Sequence, residues 1–98
     1  MNKKSLNVFW SPLAEKSYLE TIEFILGKWT IKEADSFTEQ VKDLIAKIQT
    51  FNNLCPPTSK FKYLRKCVVS FQTSLVYRIR KDNIEIIAFF DNRSGKCI

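Results

Sequence analysis

Along the first sixty residues the apolar positions repeat at helical intervals, and after Lys60 they repeat every second residue. A short alternation comes first: Leu6, Val8 and Trp10 fall on one side of an extended segment, which predicts a strand. Ser11-Pro12 ends it and starts a helix, since serine caps the first turn and proline lacks an amide hydrogen that the turn could not have used. Ala14, Tyr18, Ile22, Ile25 and Trp29 then follow at helical spacing and line one face. This first helix is predicted from Pro12 to Leu26, ending near Gly27.

Thr30 and Glu33 fit a capping box, in which each side chain serves the other's exposed amide. A second helix is therefore predicted from Thr30, with Ala34, Phe37, Val41, Leu44, Ile45, Ile48 and Phe51 on its apolar face. The short link between the helices makes them an antiparallel hairpin. Asn52-Asn53 and Cys55-Pro56-Pro57-Thr58 close the helical part.

The two-residue period gives three strands, Arg65–Phe71, Ser74–Arg80 and Ile84–Asp91, joined by turns at Gln72-Thr73 and Lys81-Asp82-Asn83. They should form an antiparallel meander. Leu75, Tyr77 and Ile79 face one way in the middle strand, and Ser74, Val76, Arg78 and Arg80 the other. The last strand is apolar on both faces, Ile84, Ile86, Ala88 and Phe90 against Ile87 and Phe89, which suits a central place in the sheet. The order is β-α-α-β-β-β, an α+β fold in which a helical hairpin packs on one face of a mainly antiparallel, twisted sheet. With 98 residues, 45% of them hydrophobic, residues 1–98 are read as a single domain.

Charge changes the picture. Lys and Arg balance Asp and Glu over residues 1–59, whereas residues 60–98 hold nine cations against Asp82, Glu85 and Asp91. The net charge of +6 thus lies wholly in the strands and their loops. An excess this one-sided suits a polyanion or an acidic partner. If the hairpin covers the face of Leu75, Tyr77 and Ile79, the other face carries Arg78 and Arg80, with Arg65 and Arg93 near its rims. Lys60, Lys62 and Lys96 extend that basic face.

The chemistry available is narrow. There is no histidine, so the commonest general base is missing and a zinc site would lack its usual ligands; no metal and no cofactor are expected. Cys55, Cys67 and Cys97 are odd in number and lack C-x-x-C spacing, so they are expected to be free thiols in a reducing compartment. With neither a signal-peptide pattern nor a long apolar run, the chain is expected in the cytoplasm and away from membranes. Arginine stays protonated and serves poorly as a base, which leaves Lys60, Lys62, Tyr63, Glu85 and Asp91 as proton-transfer candidates. Tyr77, on the core face, is expected to be packing.

In "VFWSPLAEKSYLETIEFI", "EADSFTEQVKDLIAKI" and above all "SLVYRIRKDNIEIIAFFDNR", the sequence resembles the RelE/ParE superfamily of bacterial toxins from type II toxin-antitoxin pairs. The resemblance implies a growth-arresting toxin held by a cognate, acidic antitoxin, for which exposed Leu19 and Leu26 on the first helix are contact candidates. RelE-like members cut mRNA on the ribosome, and ParE-like members inhibit DNA gyrase by binding. The basic strand residue and the terminal arginine of the RelE-like enzymes are matched by Arg65 and Arg93, so these are the catalytic candidates if the chain is an interferase. Ser74 stands where those enzymes have another arginine, and their late tyrosine has no counterpart in the five residues after Arg93. The expectation therefore leans to a ParE-like gyrase inhibitor, with an mRNA interferase and a non-toxic antitoxin-binding member as alternatives.

Overall fold

The computed structural model describes residues 6–70 and 72–92. Its elements are β1 (Asn7–Trp10), α1 (Pro12–Lys28), α2 (Ile31–Thr50), β2 (Arg65–Val68), β3 (Thr73–Arg80) and β4 (Asn83–Asp91). The sheet order is β1-β4-β3-β2, with β1 parallel to β4 and the remaining neighbours antiparallel. The expected α+β order and the meander are both present, and β4 is central, between β1 and β3.

The local signals act as their chemistry dictates. Ser11 Oγ accepts the Ala14 amide at 2.9 Å, and Pro12 opens the helix. At the start of α2 the Thr30 amide donates to the Glu33 carboxylate at 3.0 Å, and the Thr30 hydroxyl donates to the same group. Those two bonds, the hydroxyl's first, hold the Glu33 carboxyl below its usual range. Helix α1 passes through Gly27 to Lys28, two residues beyond the expected Leu26, and ends where the Trp29 amide reaches the Ile25 carbonyl at 2.7 Å. Strand β2 stops at Val68, short of the expected Phe71, because the Val69 and Ser70 amides both turn to the Thr73 carbonyl; Phe71 itself lies outside the described residues.

A bulge in β4 overturns the simple alternation. Val76 pairs with Ala88 and Tyr77 with Ile86, so Ile87 is the extra residue. Side chains before and after it exchange faces: Ile84 and Ile86 point to the helices, and so does Phe89, where strict alternation had set Ala88. Phe89 meets Trp10, Tyr18 and Phe37 with ring centroids 5.3, 5.3 and 6.5 Å away. This aromatic cluster joins β1, α1, α2 and β4. Leu75, Tyr77, Val41 and Ile48 complete the core between hairpin and sheet.

Helix α1 also takes over hydrogen bonding where β1 ends. The Ser11 amide donates to the Ile86 carbonyl at 3.0 Å and its hydroxyl to the Ile87 carbonyl at 2.7 Å. The Phe89 amide donates to Ser17 Oγ at 2.9 Å, and that hydroxyl donates to the Leu13 carbonyl at 2.6 Å. Small side chains at Ala14 and Ser17 let the helix backbone come close enough for this.

The thiol expectation fails for two of the three cysteines. Cys55 and Cys67 form a disulfide with Cα atoms 5.4 Å apart. The hairpin-like return of the chain at Pro57, bridged to Arg65, brings the two cysteines level across the outer edge of β2. Sequence spacing alone carries no sign of this, since 12 residues separate them. Closing a loop of that length is worth about 3 kcal/mol in the chain-entropy picture. Cys97 lies outside the described residues.

Ser11→Ala removes a helix cap and strands the bulge carbonyl at once. We expect a loss of about 2 kcal/mol in unfolding free energy, read as a lower urea midpoint at unchanged slope.

Candidate functional site

In-register neighbours on adjacent strands share a face of a sheet, so the pairing assigns each candidate cation to a side. On the face away from the helices, Arg78 lies opposite Glu85, which lies beside Phe9 of β1. Arg78 Nε donates to Glu85 Oε1 at 2.7 Å, so this cation is partnered and only partly exposed. Arg80, opposite Asn83 and in register with Asn7, is exposed at the corner of the same face. It lines a shallow hollow with Phe9, Lys81, Asn83 and Glu85. Lys81 holds a positive φ of 56°, as the two-residue link between β3 and β4 requires. Toward the middle of this face Ser74, Val76 and Ala88 are buried.

Arg65 is not on that face. It pairs with Tyr77, and the next residue but one, Cys67, is buried in the core, so Arg65 belongs to the helix side. There Arg65 Nη1 donates to the Cys55 carbonyl at 2.6 Å. Expected at the rim of a cationic surface, it instead clamps the loop that leaves α2. The β2 cation that does share the face of Arg78 is Lys66, opposite Val76. The sequence reading missed it, although the burial of a cysteine one residue on is the parity signal that would have found it.

Lys60 and Lys62 sit on the loop before β2, which is closed by the Thr58 amide donating to the Leu64 carbonyl at 2.7 Å. Phe61 and Tyr63 alternate with them and are exposed, their ring centroids 5.9 Å apart, with the Lys60 ammonium 5.8 Å from the Phe61 centroid. Because Arg65 is level with Tyr77, residues before Arg65 lie at the end of the sheet where β3 runs on to Arg80. The structure therefore brings Lys60, Lys62, Arg80 and Lys81 to one end. Arg93 and Lys96 lie outside the described residues.

Of the proton-transfer candidates, Lys60, Lys62 and Tyr63 share the loop before β2, while Glu85 and Asp91 stand apart on β4. Glu85 is engaged by Arg78. Asp91 pairs with Thr73 at the opposite end of β3 from Arg80, which over seven strand steps is about 23 Å. It lines a hollow between α1 and the sheet together with Ser17, Glu20, Thr21, Phe24 and Gln72. Among the described residues no group of three or more His, Cys, Asp or Glu could hold a metal ion, and no helix is long and apolar enough to cross a membrane.

Tyr77 is buried. Its phenol donates to the Asn52 carbonyl at 2.8 Å and accepts the Cys55 amide at 3.5 Å. Burial raises its pKa, a rise opposed by the bond from Cys55 and by the Arg65 charge. The residue expected to be packing is thus also the hydrogen-bonding post on which the end of α2 rests.

A helical hairpin on one side of a mixed four-stranded sheet in this order is the architecture of RelE/ParE-like toxins. The chain superposes on a chain from the chromosomal ParDE toxin-antitoxin system of P. aeruginosa with a TM-score of 0.74 at 12% identity, covering 89% of this chain and 96% of that one. The YoeB dimer structure from Staphylococcus aureus gives 0.61 at 17% identity, covering 86% and 93%. A copper-bound mutant toxin from Helicobacter pylori gives 0.60 at 17% identity, covering 93% and 99%. No curated protein matches the chain by sequence. The family model for the ParE toxin of the type II toxin-antitoxin system parDE matches residues 8–94. The chain belongs to that family and is a toxin of a type II toxin-antitoxin system, with a cognate antitoxin as its partner.

Tyr77→Phe leaves the Asn52 carbonyl and Cys55 amide without their buried partner, and should cost about 1–2 kcal/mol at neutral pH. Because folding raises the phenol's pKa, the parent protein loses stability as pH rises through and above about 10, the ordinary tyrosine value. The gap between parent and variant should therefore narrow above that pH in urea titrations.

Proposed function

We propose that this toxin acts as a ParE-like inhibitor, by binding DNA gyrase rather than by cutting RNA. The observation that carries the reading is the commitment of Arg65 and Arg78. Cleavage through a ribose 2′-oxygen needs cations for the phosphate and a nearby proton acceptor, held together within a few ångströms. Here Arg65 clamps the Cys55 carbonyl, Arg78 is matched to Glu85, and Asp91 stands at the far end of the sheet from Arg80. At the sheet end where β3 turns into β4, exposed Arg80 and Lys81 line a hollow with Phe9, and exposed Lys60 and Lys62 flank Phe61. Long cationic side chains beside Phe61, Tyr63 and Phe9 suit a protein contact, where aromatic anchors supply affinity and charge supplies the rate of encounter.

The excess of +6 also suits an acidic antitoxin. We place both proteins in the cytoplasm, where the gyrase target lies. The mRNA interferase is the second reading, favoured by the same clustering of cations at the Arg80 end.

When the toxin is induced without its antitoxin and cells are pulse-labelled, DNA synthesis should fall before protein synthesis. An early collapse of protein synthesis accompanied by cleaved mRNA would sink the gyrase reading. Reversing two charges, Lys62→Glu with Arg80→Glu, should leave folding intact and weaken toxicity at least about tenfold through slower association. Undiminished toxicity would remove this corner from the contact.

A further inference from the structure

We propose that the Cys55–Cys67 disulfide is a thiol-exchange site through which a low-molecular-weight thiol sets the freedom of the basic, aromatic loop. The inference rests on the cytoplasmic placement above, because a disulfide kept in a reducing compartment is ordinarily transient and redox-sensing rather than permanent.

Three observations carry it. The first is what the covalent ring encloses: Lys60, Phe61, Lys62, Tyr63 and Arg65 all lie between the two cysteines. The second is the asymmetry of the two ends. Cys67 is 1% exposed, fixed in β2 opposite Leu75, whereas Cys55 is only partly buried and sits in a loop. Incoming thiolate therefore meets the Cys55 sulfur first. The third is that the loop has other fastenings, which keep the reduced protein folded: Arg65 Nη1 to the Cys55 carbonyl, the Lys66 amide to the Pro56 carbonyl at 3.2 Å, and Tyr77 to the Asn52 carbonyl. A site that exchanges reversibly needs two folded states.

The chemistry balances with two equivalents of thiol. A thiolate attacks the Cys55 sulfur, a sulfur–sulfur bond forms, and the electron pair of the broken Cys55–Cys67 bond leaves on the Cys67 sulfur, which takes up a proton. A second thiol attacks the mixed disulfide and frees the Cys55 thiol. The protein gains two protons and two electrons, and the small thiol leaves as its disulfide. Nonbonded sulfurs need more room than a bonded pair, and the loop yields, since Cys67 is held in the sheet. Reduced Cys67 remains a small apolar side chain suited to its place in the core. The loop's aromatic and cationic groups then lose the constraint that presents them to a partner.

The test uses the full chain carrying Cys97→Ser, so that only this pair exchanges. Oxidised protein is equilibrated with glutathione at a reducing, cytosol-like ratio, thiols are trapped by alkylation, and trypsin cleavage after Lys60 and Lys62 is timed. The expected result is alkylation of both cysteines, cleavage at those two sites faster by roughly tenfold or more, and a chain that still unfolds cooperatively. Cys55→Ser, a loop substitution, should cleave at the fast rate whatever the glutathione ratio. Overturning results are a bond that stays closed against glutathione, loop cleavage that does not respond to opening, reduction that unfolds the whole chain, or Cys55→Ser that cleaves at the slow rate. If the bond exchanges in the tube but cell fractionation finds the toxin outside the cytosol, the placement fails and the exchange site stands.

Discussion

The edge of β4 that β1 leaves uncovered is the constraint on which the rest of this molecule depends. β1 is four residues long and β4 nine, so β4 outruns its parallel neighbour. Buried strand amides and carbonyls without partners are costly, and the serine that caps α1 and one within it supply the partners, Ser11 to the Ile86 and Ile87 carbonyls and Ser17 to the Phe89 amide. That fixes the helix on the sheet at close range. The hairpin, the aromatic cluster and the orientation of α2 follow from where α1 is held. The Ile87 bulge belongs to the same arrangement, because it turns Phe89 toward Trp10, Tyr18 and Phe37.

A second set of polar contacts secures the other end of the hairpin. The loop after α2 is held by Tyr77, Arg65 and the Cys55–Cys67 bond, all on the helix side of the sheet. An arginine used in this way is lost to a surface for phosphates. The bond from Arg65 to a backbone carbonyl is charge-assisted and buried in part, and releasing it would leave that carbonyl without its partner. Exposed charge remains on the lysine-bearing loop and the β3–β4 turn, at the same end of the sheet, and Lys66 stays on the outer face.

A fold of this kind does not by itself fix an activity, which lies in the side chains at its surface. At the Arg80 end of its sheet this chain places long cationic side chains near exposed rings, with Glu85 matched to Arg78 and Asp91 at the other end. The loop that carries Lys60 to Tyr63 is bounded by the Cys55–Cys67 bond.

The sequence by itself determined the elements and their order, because helix caps, helical spacing and strand alternation are local properties. Ser11-Pro12, Thr30 with Glu33, and the two-residue period after Lys60 act within a few residues; both helix starts appear where they were read, and the three strands appear in order, with β2 shorter and β4 bulged. The basic character of the last 39 residues was equally legible. Tertiary structure alone decided which face Arg65 and Lys66 would take. The bulge at Ile87 exchanges faces within β4, Arg65 follows Cys67 toward the core, and Lys66 follows Val76 outward, all consequences of pairing between strands distant in sequence. The disulfide was hidden for the same reason: only the return of the chain at Pro57 brings Cys55 level with Cys67, and nothing within the twelve-residue separation announces that return.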